Sequence, residues 1–179
     1  MESLYQLHTL IWLFPVMFIF HDFEEIILVE GWIKKNKSKI KDKLPNSIAD
    51  KIIKQLSMST AQFSVSVLII FLFVSSSTYM ASQYIQSGSF ANIHFFIVCN
   101  LIFFLHAFTH IGQSIFFRGL TPGALTSMVV IIPYSIFLFD SLIENNILSW
   151  NMIWSSIPFV FLVIPVLLVA HGIGKRVIS

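Results

Sequence analysis

A chain of 179 residues that is 56% hydrophobic and only 11% charged is not a water-soluble domain, in which about a quarter of residues carry charge. Its single cysteine, Cys99, excludes an internal disulfide and any multi-cysteine metal site. A formal net charge of +2 says little as a total, but its distribution is informative.

Apolar runs of about 20 residues are needed to cross a bilayer, and five can be placed in chain order: 5–29, 61–85, 93–117, 122–143 and 150–172. They are too long and too uniformly apolar for alternating barrel strands. The expected fold is therefore all-α, a polytopic transmembrane bundle of about five helices forming a single integral membrane domain. The start, Met1-Glu2-Ser3-Leu4-Tyr5-Gln6, lacks a basic n-region, so no cleaved secretory signal is expected. Within the first run, Pro15 lies a turn and a half before His21, where it can kink the helix and free a carbonyl or simply be tolerated.

Between the first two runs lies a basic loop, 31–60, with Lys34, Lys35, Lys37, Lys39, Lys41 and Lys43 ahead of Leu44-Pro45. After it, Ile48, Ile52, Ile53 and Leu56 recur at helical spacing beside Lys51 and Lys54, the pattern of an amphipathic helix lying on a membrane surface. Arg118 follows the third run, and Lys175 and Arg176 follow the fifth. With five spans, all eleven Lys and Arg fall on one side, while Glu2, Asp140 and Glu144 lie on the other. The positive-inside rule then predicts a multi-pass protein of the cell membrane, N-terminus outside and C-terminus cytoplasmic. Membrane lipids are the expected partners, anionic ones at the basic loop, and no nucleic acid.

The first run contains His21-Asp22-Phe23-Glu24-Glu25. Ionisable groups inside a membrane segment cost a few kcal/mol each on insertion scales, so four in five residues point to a function. At 100° per residue, His21, Glu24 and Glu25 fall at 0°, about −60° and about +40°, on one face, with Asp22 at its edge. The third run repeats the theme with His106, His110 and Gln113 at i, i+4 and i+7. Both runs descend the same way. Glu24 lies roughly 8 Å and His110 roughly 10 Å from the inner ends of their helices, so the two motifs share a depth. His171, near the inner end of the fifth run, is placed to join them. His8, His94 and Asn100 read as packing or interfacial residues.

No Lys or Arg lies in any run to neutralise these carboxyls. A bound divalent metal, protonated carboxyls or imidazolium partners are the three solutions. Imidazole plus carboxylate suits zinc, iron or manganese. The expected ligands are His21, Glu24, Glu25, His106 and His110, with Glu24 or Glu25 as a catalytic base. Thr121 is expected to cap the fourth helix with Pro122 at its first position. Beside Arg118, and with Gln113 near, that end would bind an anion or substrate headgroup.

The His-Asp-Phe-Glu-Glu run in an early apolar segment resembles the HXXEE family of small membrane proteins, named for that motif. His21, Glu24 and Glu25 match it. The family pattern also has a downstream histidine, which would be His106 or His110, and a Tyr-x-Pro-Gly element. Thr121-Pro122-Gly123 matches the last three positions of that element, with Leu120 in place of its tyrosine. The resemblance supplies no activity.

The chemistry of the residues suggests a metal-dependent membrane hydrolase or oxidative enzyme acting on a lipid-like substrate. Five ligands would suffice even for two ions. A proton- or metal-ion transporter and a non-catalytic binding or assembly protein are the alternatives. The orientation has a direct test. In a Cys99→Ser background, a cysteine replacing Lys39 should be labelled only from the cytoplasmic side and one replacing Glu144 only from outside. Labelling of position 39 from outside would reverse the topology.

Overall fold

In the computed structural model, which describes residues 2–178 and the side chains of residues 6–178, seven helices form the chain. They are α1 (Glu2–Lys43), α2 (Asn46–Leu56), α3 (Thr60–Ile85), α4 (Ile93–Phe117), α5 (Ala124–Glu144, with a π-helical turn at Ser127–Ile131), α6 (Trp150–Val160) and α7 (Val163–Val177). No strand occurs among the described residues. The fold is an all-α bundle. The C-terminal Ser179, expected in the cytoplasm, lies outside the described residues.

By length and apolarity, α3, α4 and α5 can each cross a membrane, and α6 with α7 can form a fourth span bent by 41°. Pro158 sits inside α6, and α7 restarts shortly beyond its end. The first run, 5–29, is not among these spans, because Asp22, Glu24 and Glu25 interrupt it. The outward faces of the bundle expose Leu68, Leu72, Phe108, Val129, Phe137 and Leu168. So continuous an apolar exterior is what lipid covers.

α1 does not stop where its apolar run stops. Its 42 residues rise about 63 Å, twice the roughly 30 Å of a hydrocarbon core. The lysine run expected to be loop is helix through Lys43. Lysine is a good helix former, Gly31 alone does not break the pattern, and Glu30 pairs with Lys34 one turn on. Pro45 ends it, since a proline disfavours helix in the residue before it. Beyond Pro45, α2 folds back along α1, burying Ala49 and Ile53 in a common core with Ile33 and Ile40 of α1. The amphipathic face of α2 is thus turned largely into the protein, leaving Ile48 exposed.

The buried stripe of α1 runs Leu7, Ile11, Phe14, Phe18 and then His21. These positions alternate four and three apart, the spacing of a helix seam. Phe14, fully buried, stands at the centre: its ring meets Phe96 and Phe103 edge-on at 5.5 and 5.6 Å and stacks on Tyr134 at 6.2 Å. Pro15 is accommodated within the continuous helix, and the Tyr134 hydroxyl donates to the Leu10 carbonyl at 3.0 Å. At the far end of α1, Trp12 donates to His8, which also meets Ser82, so His8 serves packing. Asn100 is buried with its amide bonded to the Phe96 carbonyl, and His94 is exposed.

α3 and α7 pack closely through small residues. Ser66 Oγ donates to the Ala170 carbonyl at 3.2 Å, and a Cβ on Gly174 would collide with the Gln62 carbonyl. Two helix ends are tied by lysines. Lys43 donates to the Phe116 carbonyl at the end of α4, and Lys175 donates to the Lys54 and Gln55 carbonyls at the end of α2. Cations belong at helix C-termini, and these contacts gather the basic residues at one end of the bundle.

Because Phe14 joins α1, α4 and α5 through ring contacts, Phe14→Ala should cost about 3 kcal/mol or more. Denaturant unfolding in detergent micelles would measure it. A loss below about 1 kcal/mol would show that the ring cluster is not the core of the bundle.

Candidate metal centre

The polar motif of α1 lies on the stripe that the bundle buries. His21 is 1% and Asp22 5% exposed, and His110 on α4 is 4% exposed. Long side chains of α1 and α4 reach each other across the bundle, and there the motifs meet. One donor atom from each of His21, Glu25, His106 and His110 lies within 4.8 Å of the other three. His106 Nε2 and His110 Nε2 are 2.7 Å apart, and His110 Nε2 stands 3.3 Å from Glu25 Oε1. The imidazole of His21 crosses those of His106 and His110 at ring separations of 5.3 and 5.0 Å. Bonds of about 2.0–2.2 Å to a shared ion require donors within about 4 Å of each other.

Glu24 has a different place. Its Oε2 accepts from the backbone N–H of Thr126 at 2.8 Å and from the Thr126 hydroxyl at 2.6 Å. Thr126 is the third residue of α5, where helix amides have no partner of their own and the helix dipole favours an anion. The amino end of α5 therefore does hold an anion, supplied by the chain itself across 102 positions. His21 Nδ1 lies 2.8 Å from the same Thr126 hydroxyl. The remaining ring nitrogen of His21, Nε2, is buried without a hydrogen-bond partner.

The turn into α5 also departs from expectation. The helix starts at Ala124, not at Pro122, and its cap is Gly123 with φ 80° and no side-chain hydrogen bond. Thr121 is buried; its carbonyl accepts the Ala124 N–H at 3.1 Å, but its side chain caps nothing. Its hydroxyl meets Ser114 Oγ at 2.7 Å and donates to the His110 carbonyl at 3.3 Å, while its N–H donates to Ser114 Oγ at 3.0 Å. Thr121 is thereby committed to pinning the turn to α4. Arg118 ends α4 in a left-handed conformation, φ 49°, exposed, with no polar contact to the group among the described residues. At this helix end the Thr126 amide already serves Glu24.

Gly123 presses its backbone against two of the imidazoles. A Cβ there would stand 2.7 Å from His110 Cε1 and 2.9 Å from His21 Cε1, closer than side chains tolerate. Glycine is required twice, for space and for the positive φ.

The group opens on a cavity of ≈ 270 Å³. His21, Asp22, Glu25, His106, His110 and Gln113 mark its polar wall, and Phe18, Phe103, Phe63, Val67, Ile70 and Leu167 its apolar one. His171 lines the cavity from α7 but stands outside the four-donor group, its Nδ1 receiving Gln55 Nε2 at 2.8 Å. Asp22, an edge residue by sequence, carries a buried Oδ2 with no partner. Thr126 and Ser114 had no sequence signal: a lone hydroxyl is assigned by what it touches, and their partners lie on other helices or beyond a turn.

Gly123→Ala should destabilise the protein by more than about 1 kcal/mol through its positive φ alone, and should separate His21 from His110. Denaturant unfolding in micelles measures the first effect, and loss of metal uptake by the folded variant reports the second. Parent-like stability and uptake would mean the turn is not tight against the imidazoles.

Neither the curated proteins nor the solved structures include one that matches this chain. A family model does match, over residues 12–138, and is described as a protein of unknown function with HXXEE motif. The matched stretch contains the whole four-donor group, Glu24, the Thr121-Pro122-Gly123 turn and Thr126, and stops short of α6 and α7. The chain belongs to the HXXEE family.

Proposed function

We propose that this protein is a metal-dependent membrane enzyme acting on a lipid-like substrate, with the reacting group brought to His21, Glu25, His106 and His110. One observation carries the reading: four potential ligand atoms within 4.8 Å of one another, buried or half-buried in apolar runs that contain no Lys or Arg, at the wall of a cavity. Three neutral imidazoles and a carboxylate suit zinc, iron or manganese. His21, Glu25, His106 and His110 would hold a divalent cation, which would supply Lewis-acid polarisation of a substrate or water oxygen. With Glu24 engaged at Thr126, the four remaining donors fit one ion, which favours hydrolysis over a two-ion oxidative reaction.

In that reading Glu25 is a ligand, and the base is Asp22, whose free Oδ2 lines the same cavity. Asp22 takes a proton from water as its oxygen bonds to an ester-type carbonyl, and returns it to the departing alcohol as the carbon–oxygen bond breaks. An apolar chain fits against Phe63, Val67, Ile70 and Leu167, with His171 at the α7 wall for a polar substituent. The transporter alternative is disfavoured by the rings of Phe14, Phe96 and Tyr134, which pack together in the bundle beyond the site. A transporter needs polar groups leading both ways. The charge pattern supports a cell-membrane protein with α1 as a further span, its N-terminus outside and the basic helix ends against anionic cytoplasmic lipid.

Protein purified in detergent, stripped with chelator and reloaded with zinc, iron or manganese should retain about one ion per chain. Glu25→Gln, His106→Ala and His110→Ala should each lower that content at least tenfold while the helical signal persists. At free metal 100 times Kd the parent should gain about 2.7 kcal/mol of stability. Uptake equal to the parent in all three variants, or none in the parent, would end the metal reading in favour of a hydrogen-bonded packing cluster.

A further inference from the structure

The bonds around Thr126 have a consequence for His21. A hydroxyl has one proton to give and two lone pairs to accept with. Thr126 Oγ1 is 2.6 Å from Glu24 Oε2 and 2.8 Å from His21 Nδ1, while its next neighbour, the Gly123 carbonyl, is at 3.4 Å. Glu24 Oε2 already accepts the Thr126 N–H at the amino end of α5, where a negative charge is favoured. A carboxylate has no proton to donate. The Thr126 proton therefore goes to Glu24, and the hydroxyl must accept at His21. That puts the ring proton of His21 on Nδ1 and leaves the lone pair on Nε2, the one ring atom of His21 that is buried with no partner.

From this we infer that Thr126 is a positioning residue that, backed by Glu24, holds His21 in the Nδ1-protonated tautomer with its Nε2 lone pair turned to the four-donor group. The inference rests on the metal reading for its purpose, but the tautomer itself does not need a metal. Metal-bound histidines almost always donate their other ring N–H to a fixed acceptor, and loss of that acceptor costs 10–100-fold in affinity. Here the acceptor is a hydroxyl aligned by a carboxylate, and the three parts come from two helices. The two glutamates of the motif thereby divide their roles. Glu25 faces the ion, and Glu24 fixes the residue that orients His21.

The test separates hydroxyl from shape. Thr126→Ser keeps the hydroxyl, and Thr126→Val keeps the volume without it. Histidine ¹⁵N chemical shifts of metal-free protein in micelles, assigned with His21→Gln, should show His21 Nδ1-protonated in the parent and in Thr126→Ser. In Thr126→Val the preference should be lost or reversed. Cobalt(II) titration followed by its visible absorption should show 10–100-fold weaker binding for Thr126→Val than for the parent. Thr126→Ser should stay within about threefold of the parent, well below that range, and melting temperature serves as the control for folding. A parent His21 protonated on Nε2 would overturn the inference. So would a Thr126→Val variant with parent-like shifts and cobalt affinity, and so would equal losses in Ser and Val variants, the mark of a merely structural role. If the parent binds no cobalt while the tautomer behaves as stated, the metal reading fails and the positioning role stands.

Discussion

The docking of the Glu24 carboxylate onto the first turn of α5 is the contact on which the site depends. It joins the middle of one helix to the beginning of another, and both partners gain. The helix end acquires the anion that its unpaired amides and dipole favour. The carboxylate acquires two donors in a region where an ion without partners could not persist. With α5 held there, the Thr126 hydroxyl reaches His21 and the Gly123 backbone lies against His21 and His110. The pinning of Thr121 to Ser114 and the His110 carbonyl ties the same turn to α4. A π-helical turn follows at once, over Ser127–Ile131, a local irregularity of the kind that often accompanies functional sites.

The rest of the bundle supplies the rigidity this arrangement needs. On α1 the seam that packs Leu7, Ile11, Phe14 and Phe18 passes without a break in phase into His21 and Glu25. On α4 the buried series Ile93, Phe96, Asn100, Phe103, Ala107 and His110 does the same. The polar groups therefore occupy positions that the buried stripes of the two helices already turn into the bundle. The ring cluster around Phe14 closes the bundle on one side, and the cavity opens on the other, toward α3 and α7. The result is a one-sided site, its donors on one wall and mostly apolar side chains opposite, with Ser66 and His171 the polar exceptions there.

Beyond the site, the end of the bundle that carries the basic residues is built by helix-end electrostatics as well. Glu30 accepts from the Thr60 amide and hydroxyl at the start of α3, while Lys43 and Lys175 reach the terminal carbonyls of α4 and α2. α1 thus contributes two carboxylates to two helix N-termini, Glu24 to α5 and Glu30 to α3. Their spacing along one long helix sets the relative depth at which α3 and α5 begin.

Much of this was determined by the sequence alone. Long apolar runs with few charges demand helices in lipid, and the boundaries of α3 and α4 follow from where apolar residues stop. The clustering of His and Glu at i, i+3 and i+4, and again at i and i+4, marks faces of helices, so the composition of the His/Glu group was legible as local periodicity. What periodicity could not decide was which partner each side chain takes. Glu24 and Glu25 are neighbours in sequence, yet one meets the histidines and the other meets an amide 102 positions away. Thr126, Asp22 and His171 likewise took their places from the way α1, α4, α5 and α7 pack. The lysine stretch became helix because nothing local stops α1 before Pro45, and α2 was there to cover it. Local spacing specifies which residues share a face; only tertiary packing decides what that face touches, because the partners of Glu24, Glu25 and His21 stand on other helices.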